Sequence, residues 1–203
     1  MNYESREFVD LHVIDAIDKT AFENGCSDAA MLRESLSDTS INIVDHVARD
    51  VQALRASIAR IVSHRSSYEN PRNSVPYIHI SCHGTRDFLK IGEQEMSWSV
   101  LSEVLLPLQQ KTDYNVPISL SSCWGFHGAK LAGEVFSKYE KKRPYYSLVG
   151  PRDEEAIIAL AQSFAHFYRY LLSDFKNLKR SIALTNKYGP VMLDYTYGSL
   201  ACR

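Results

Sequence analysis

The sequence predicts a three-layer αβα sandwich whose central sheet is mostly parallel, and three observations lead there. Short β-branched and apolar runs alternate with helix-period apolar spacings through most of the chain. Glycine, proline or polar clusters separate many of them, as right-handed crossover units require. The 203 residues are 45% hydrophobic, enough to bury one substantial core.

Taken in order, Phe8 to Ile17 reads as a first strand entering a polar loop, Asp18 to Ser40, with a short helix near Ala29 to Ser35. Ile41, Ile43 and Val44 begin a second strand. Val47, Val51, Leu54, Ile58 and Ile61 recur at three- and four-residue steps and predict a helix from about Arg49 to Ser63. The Arg65 to Pro76 stretch is a surface loop leading into a strand at Tyr77 to Cys82, and Phe88 to Ile91 is a short extended piece. Leu101, Val104, Leu105 and Leu108 give one apolar helical face within Ser97 to Gln110.

Val116, Ile118 and Leu120 alternate with small residues in a buried strand reaching Cys123. Leu131, Val135 and Tyr139 mark a helix ending in the solvated charged run Glu140 to Arg143. Tyr145 to Val149 is a further strand. Ile157, Leu160, Phe164, Phe167 and Leu171 mark a long helix, with Asp153, Glu154 and Glu155 at the positive end of its dipole. The tail Tyr188 to Gly198 is either a closing edge strand or a segment docked on a partner. No repeat, low-complexity segment or linker divides the chain, so residues 1–203 read as one domain.

Lys and Arg number 23 against 24 Asp and Glu, a net charge of −1, which leaves no basic surplus for a phosphate backbone. Nucleic acid is not expected as a partner. Charges break the N-terminal apolar run and no stretch reaches the length of a membrane span, so no membrane is expected and the location is read as cytoplasmic. The four cysteines are scattered and read as reduced thiols.

Ligands in open parallel sheets sit beyond the carboxyl ends of the strands. Two strand ends are chemically loaded: Ser81-Cys82-His83-Gly84 and Ser121-Ser122-Cys123-Trp124-Gly125. If the two strands are parallel neighbours, an imidazole and a thiol face one crevice, which suits a thiolate nucleophile with a proton carrier. No metal or other cofactor is needed. Gly84 lets its own N–H approach a developing oxyanion, with the Cys123 N–H as second donor. Cys82 has the opposite strand parity from His83 and reads as a core cysteine. Trp124 walls the substrate cleft or anchors the helix after it. His79 and Ser81 share the parity of His83, and one of them orients the imidazole or both simply pack.

A buried strand ending His-Gly, followed by one ending in a small residue and Cys, resembles the caspase-like cysteine peptidases. Ser147-Leu148-Val149-Gly150, the acidic turn after it and the helix with Ala165, Phe167, Tyr168 and Leu171 resemble the CHAT branch, related to caspases and separase. The resemblance spans about Tyr77 to Thr185. It implies a caspase-like fold, His83 as general acid/base, Cys123 as nucleophile, and the Gly84 and Cys123 amides as oxyanion hole. It also implies a protein or peptide substrate, activation by a partner protein or small ligand, and a role in regulated proteolysis such as cell death or antiviral defence. Caspases proper have Gln-Ala-Cys where this chain has Ser121-Ser122-Cys123, which argues against their aspartate pocket. Asp153 either caps the helix after it or, as in separase-like relatives, receives a basic P1 side chain. Two alternatives remain: a catalytically silent caspase-like scaffold, and a zinc protein using Cys82, His83, Cys123 and His127.

Overall fold

A computed structural model describes residues 7–65, 74–130, 145–173 and 177–198. Its strands and helices alternate as β1 (Glu7–Asp15), α1 (Lys19–Glu23), α2 (Asp28–Ser35), β2 (Asn42–Val47), α3 (Val51–Arg65) and β3 (Ser74–Ser81). A small antiparallel sheet follows, β4 (His83–Gly84), β5 (Phe88–Ile91) and β6 (Gln94–Ser97), and then α4 (Trp98–Lys111) and β7 (Pro117–Ser121). A 3-10 turn at Gly125–Lys130 precedes β8 (Ser147–Pro151), α5 (Ile157–Ser173), α6 (Leu178–Tyr188) and β9 (Leu193–Tyr197).

The main sheet has six strands in the order β2-β1-β3-β7-β8-β9. All neighbours are parallel except β9, which pairs antiparallel with β8 and closes the edge. Strand alternation divides the apolar side chains between two layers. Ile14, Ile78, Ile80, Ile118 and Leu120 meet Leu54, Ile58 and Ile61 of α3 and Leu101, Leu105 and Leu108 of α4. On the other face Leu11, Val13, Tyr77 and Val149 meet Leu32 of α2, Phe164, Phe167 and Tyr168 of α5 and Ile182 of α6. The predicted three-layer sandwich is therefore the observed one.

Side-chain caps fix several helix starts. Ser27 accepts from the Ala30 N–H at 3.1 Å, Ser97 from Val100 at 3.4 Å and Asn177 from Arg180 at 3.0 Å. One expectation needs correction and one helix is added. The acids Asp153, Glu154 and Glu155 lie before the first turn of α5, which holds no acid, so they form a loop and do not complement the helix dipole. Residues 178–188 form a helix that the apolar spacing left unassigned, since only Leu178 and Ile182 carry its apolar stripe. The expected extended piece Phe88–Ile91 is the middle strand of the second sheet. The helix expected around Leu131 to Tyr139 and the charged run after it lie outside the described residues. No helix among the described residues is long and apolar enough to cross a membrane.

Candidate active site

Strands β3 and β7 run parallel with Ile78 opposite Ile118 and Ser81 opposite Ser121. The Cys82 N–H continues the ladder by donating to the Ser121 carbonyl at 3.1 Å. Residues 83 and 123 stand 40 positions apart, the same offset as each pair in the ladder, so they leave the sheet at one level on neighbouring strands. The close approach continues one residue further. A Cβ on Gly84 would lie 2.4 Å from the Cys123 carbonyl oxygen and 3.2 Å from the Ser122 hydroxyl, so only glycine lets the two chains pass at this separation.

The His83 side chain is 40% exposed and its Nε2 lies 3.1 Å from Oδ2 of Asp18. Asp18 is the N-cap of α1, where its Oδ1 accepts the Ala21 N–H at 2.9 Å. One carboxylate thus holds a helix start with one oxygen and the imidazole with the other. The Ala21 N–H first, and then the His83 contact, hold this carboxyl below the usual aspartate range. Sequence reasoning placed Asp18 in a polar loop and missed it. Its place after the carboxyl end of β1 was legible, but that β1 lies beside β3 is a property of the sheet order.

Cys123 lies in the turn after β7 and is partly exposed. Its Sγ is 3.4 Å from the Glu155 N–H and 3.5 Å from the Glu155 carbonyl, so the thiol rests on the backbone of the loop after β8. The turn itself is held by Trp124 N–H donating to the Asp153 carbonyl at 3.1 Å and Gly125 N–H donating to Ser122 at 2.9 Å. Trp124 has φ +58°, a left-handed conformation that a bulky side chain adopts only under local constraint. Cys82, by contrast, is 3% exposed within the α3 and α4 layer, and burial pushes its thiol up to about 12. That supports its reading as a core residue.

Beside this turn lies a pocket of about 560 Å³. Trp124 and Asp153, the two residues expected to contact substrate, both line it, together with Arg86, His127, Lys130 and Arg152. The Asp153 cap reading is overturned, because α5 begins at Ile157 and the Asp153 carbonyl is occupied in anchoring the Trp124 turn. The Arg86 guanidinium stacks 4.2 Å from the Trp124 ring centroid, and Arg152 lies 4.8 Å from that of Phe126 while pairing with Asp194. Lys130 reaches Asp87 at 3.1 Å. His127, whose ring sits edge-on to Trp124, has its pKa lowered by desolvation first and then by Lys130 and Arg86, a mark of the local positive field.

His79 plays no part in orienting His83. Its Nε2 lies 2.9 Å from Asp28 Oδ2 and its Nδ1 2.9 Å from the Tyr168 hydroxyl, all of them buried on the α5 face. Ser81, buried on that face too, shows no contact with the imidazole. Nor do Cys82, His83, Cys123 and His127 converge as a zinc set. Cys82 points into the core, His83 is engaged with Asp18, and His127 faces the pocket.

No family profile matches the chain, and no curated protein matches it. Among solved structures it is similar to caspase-1 from Spodoptera frugiperda, with a TM-score of 0.52 and 10% identity over 96% of this chain and 90% of that one. At that identity the likeness concerns the fold. The chain has the caspase-like fold.

Proposed function

We propose that the protein is a cysteine endopeptidase with Cys123 as nucleophile and His83 as general acid/base. The observation that carries the reading is the common register of β3 and β7, which ends both strands at one level with an exposed imidazole on one and a thiol on the other. The thiol proton passes to His83, and the thiolate adds to the scissile carbonyl carbon. The resulting oxyanion is received by the Gly84 and Cys123 amides, since the Trp124 and Gly125 amides are committed to the turn. His83 then returns its proton to the leaving amine, and a water deprotonated by His83 hydrolyses the Cys123 thioester. Asp18 is a positioning residue that fixes the imidazole.

The pocket is lined by Arg86, Lys130 and Arg152 beside Asp153, and since Lys130 pairs with Asp87 and Arg152 with Asp194, Arg86 is the cation placed to meet a substrate charge. This lining supports an acidic substrate side chain, in place of the basic one that Asp153 by itself implies. Cleavage requires the thiol to leave Glu155, and this contact gives an activating protein or small ligand something to release. The resemblance of Ser147 to Gly150 and the helix after it to the CHAT branch supports placing the chain among cytoplasmic peptidases of regulated proteolysis, as in cell death or antiviral defence. The same contact favours a second reading, a silent scaffold whose thiol stays docked. A peptide-library cleavage profile separates the two. Cleavage next to Asp or Glu, lost in Cys123→Ala and reduced about tenfold or more in Arg86→Ala, is the expected result. A profile preferring Arg or Lys contradicts the pocket assignment, and cleavage that persists in Cys123→Ala contradicts the nucleophile.

A further inference from the structure

Away from the strand ends that carry His83 and Cys123, a second constellation lies on the α3 face of β1. Asp10 and His12 are two residues apart on β1 and therefore project from the same side of the sheet, toward the carboxyl-terminal turn of α3 where His64 sits. One ligand atom from each of the three lies within 4.8 Å of the others. The His64 Nδ1 is 3.8 Å from Asp10 Oδ2, and the His12 and His64 rings meet edge-on with centroids 5.8 Å apart. His12 is fully buried, and its Nε2 has no hydrogen-bond partner. A buried imidazole nitrogen without a partner is costly unless something occupies the position it faces.

We propose that Asp10, His12 and His64 bind one divalent transition-metal ion, zinc by the chemistry of the donor set, in a site that fastens β1 to α3. Two imidazoles and a carboxylate are ordinary zinc donors, and a water completes four-coordination. Ligand atoms around zinc stand about 3.4 Å apart, from metal–ligand distances near 2.0–2.1 Å. The three groups must therefore close by up to about 1.4 Å, and His64, 47% exposed at the carboxyl end of α3, is the ligand nearest solvent.

The surroundings match what metal ligands require. Asp10 Oδ1 accepts from the Asn42 amide at 2.6 Å, which fixes the carboxylate while Oδ2 faces His64. His12 Nδ1 lies 3.1 Å from His46 Nε2. In the tautomer with the proton on His12 Nδ1, that nitrogen donates to His46 and the Nε2 lone pair is presented to the metal, the usual arrangement of a ligating histidine. The site is independent of the peptidase reading.

The test is equilibrium binding of Zn²⁺ to the chelator-treated full chain, with Co²⁺ absorption as a second readout. One ion per chain is expected, with d–d bands of a four-coordinate nitrogen and oxygen site and no thiolate charge-transfer band. His64→Ala, a substitution at a half-exposed position, weakens binding by more than about 100-fold, and Asn42→Ala by about 10-fold. Cys123→Ala leaves the affinity unchanged. Saturating Zn²⁺ raises the Tm of the wild type and not that of His64→Ala. Absence of saturable binding, equal affinity in His64→Ala, or a charge-transfer band that vanishes in Cys123→Ala would each overturn the assignment.

Discussion

At the scale of single residues, one carboxylate carries two tasks. Asp18 caps α1 with one oxygen and holds His83 with the other. Asp18→Asn retains a capping oxygen and places an amide against the imidazole, so it separates the two tasks. It is expected to lower kcat/KM by about 10²-fold with little change in Tm, and to alter the acid limb of the pH profile. A full loss of folding in the Asn variant would make Asp18 structural only. The two cysteines near the strand ends contrast sharply. With its pKa pushed up to about 12 by burial, Cys82 is almost entirely protonated near neutral pH and should resist iodoacetamide in the folded protein. Peptide mass spectrometry is expected to find Cys82 alkylated only after denaturation. Modification of native protein at Cys82 would show that the α3 layer opens.

At the scale of elements, β3 is an instructive strand because its two faces do different things. Ile78, Ile80 and Cys82 pack into the α3 and α4 layer, while His79 on the other face is locked between Asp28 and Tyr168. Tyr168→Phe removes the hydroxyl at 2.9 Å and leaves the buried His79 Nδ1 without its partner. A destabilisation of about 1–3 kcal/mol in chemical denaturation is expected, and an unchanged midpoint would contradict this account of the network. Most elements were legible from periodicity. The strands that lead to His83 and Cys123 and the helix α3 follow from apolar spacing and flanking breakers, and of the two readings of the tail the closing strand β9 is the one observed. What stayed hidden has physical causes. The acids Asp153 to Glu155 look like a helix start, but their segment is drawn out of the helix by the thiol and amide of the Cys123 turn. Asp18 and His83 are brought together by β1 lying beside β3, a neighbour relation that no local pattern encodes. Asp10 and His12 form a same-face pair visible in sequence, but His64 joins them only through the packing of α3 on β1.

At the scale of the whole molecule, a parallel sheet buried on both faces gathers its chemistry at the carboxyl ends of the strands. The ends of β1, β3, β7 and β8 contribute Asp18, His83, Cys123 and the Asp153 to Glu155 loop in that spatial order, since these four strands are consecutive in the sheet. The sequence read in isolation named His83, Gly84, Cys123, Trp124 and Asp153. The fold places the last three around one turn and pocket, with Gly84 packed on the Cys123 carbonyl. It also adds what a linear reading lacks, a cationic lining in which Arg86 comes from the loop after β4 and Arg152 from the end of β8. The central claim is that His83 and Cys123 work as a pair. The most direct test is the rate at which an electrophilic peptide ketone labels Cys123, followed by mass spectrometry in wild type and His83→Ala. The account predicts saturable labelling of Cys123 that slows by at least about 10²-fold without His83. Equal labelling rates in the two proteins would contradict it.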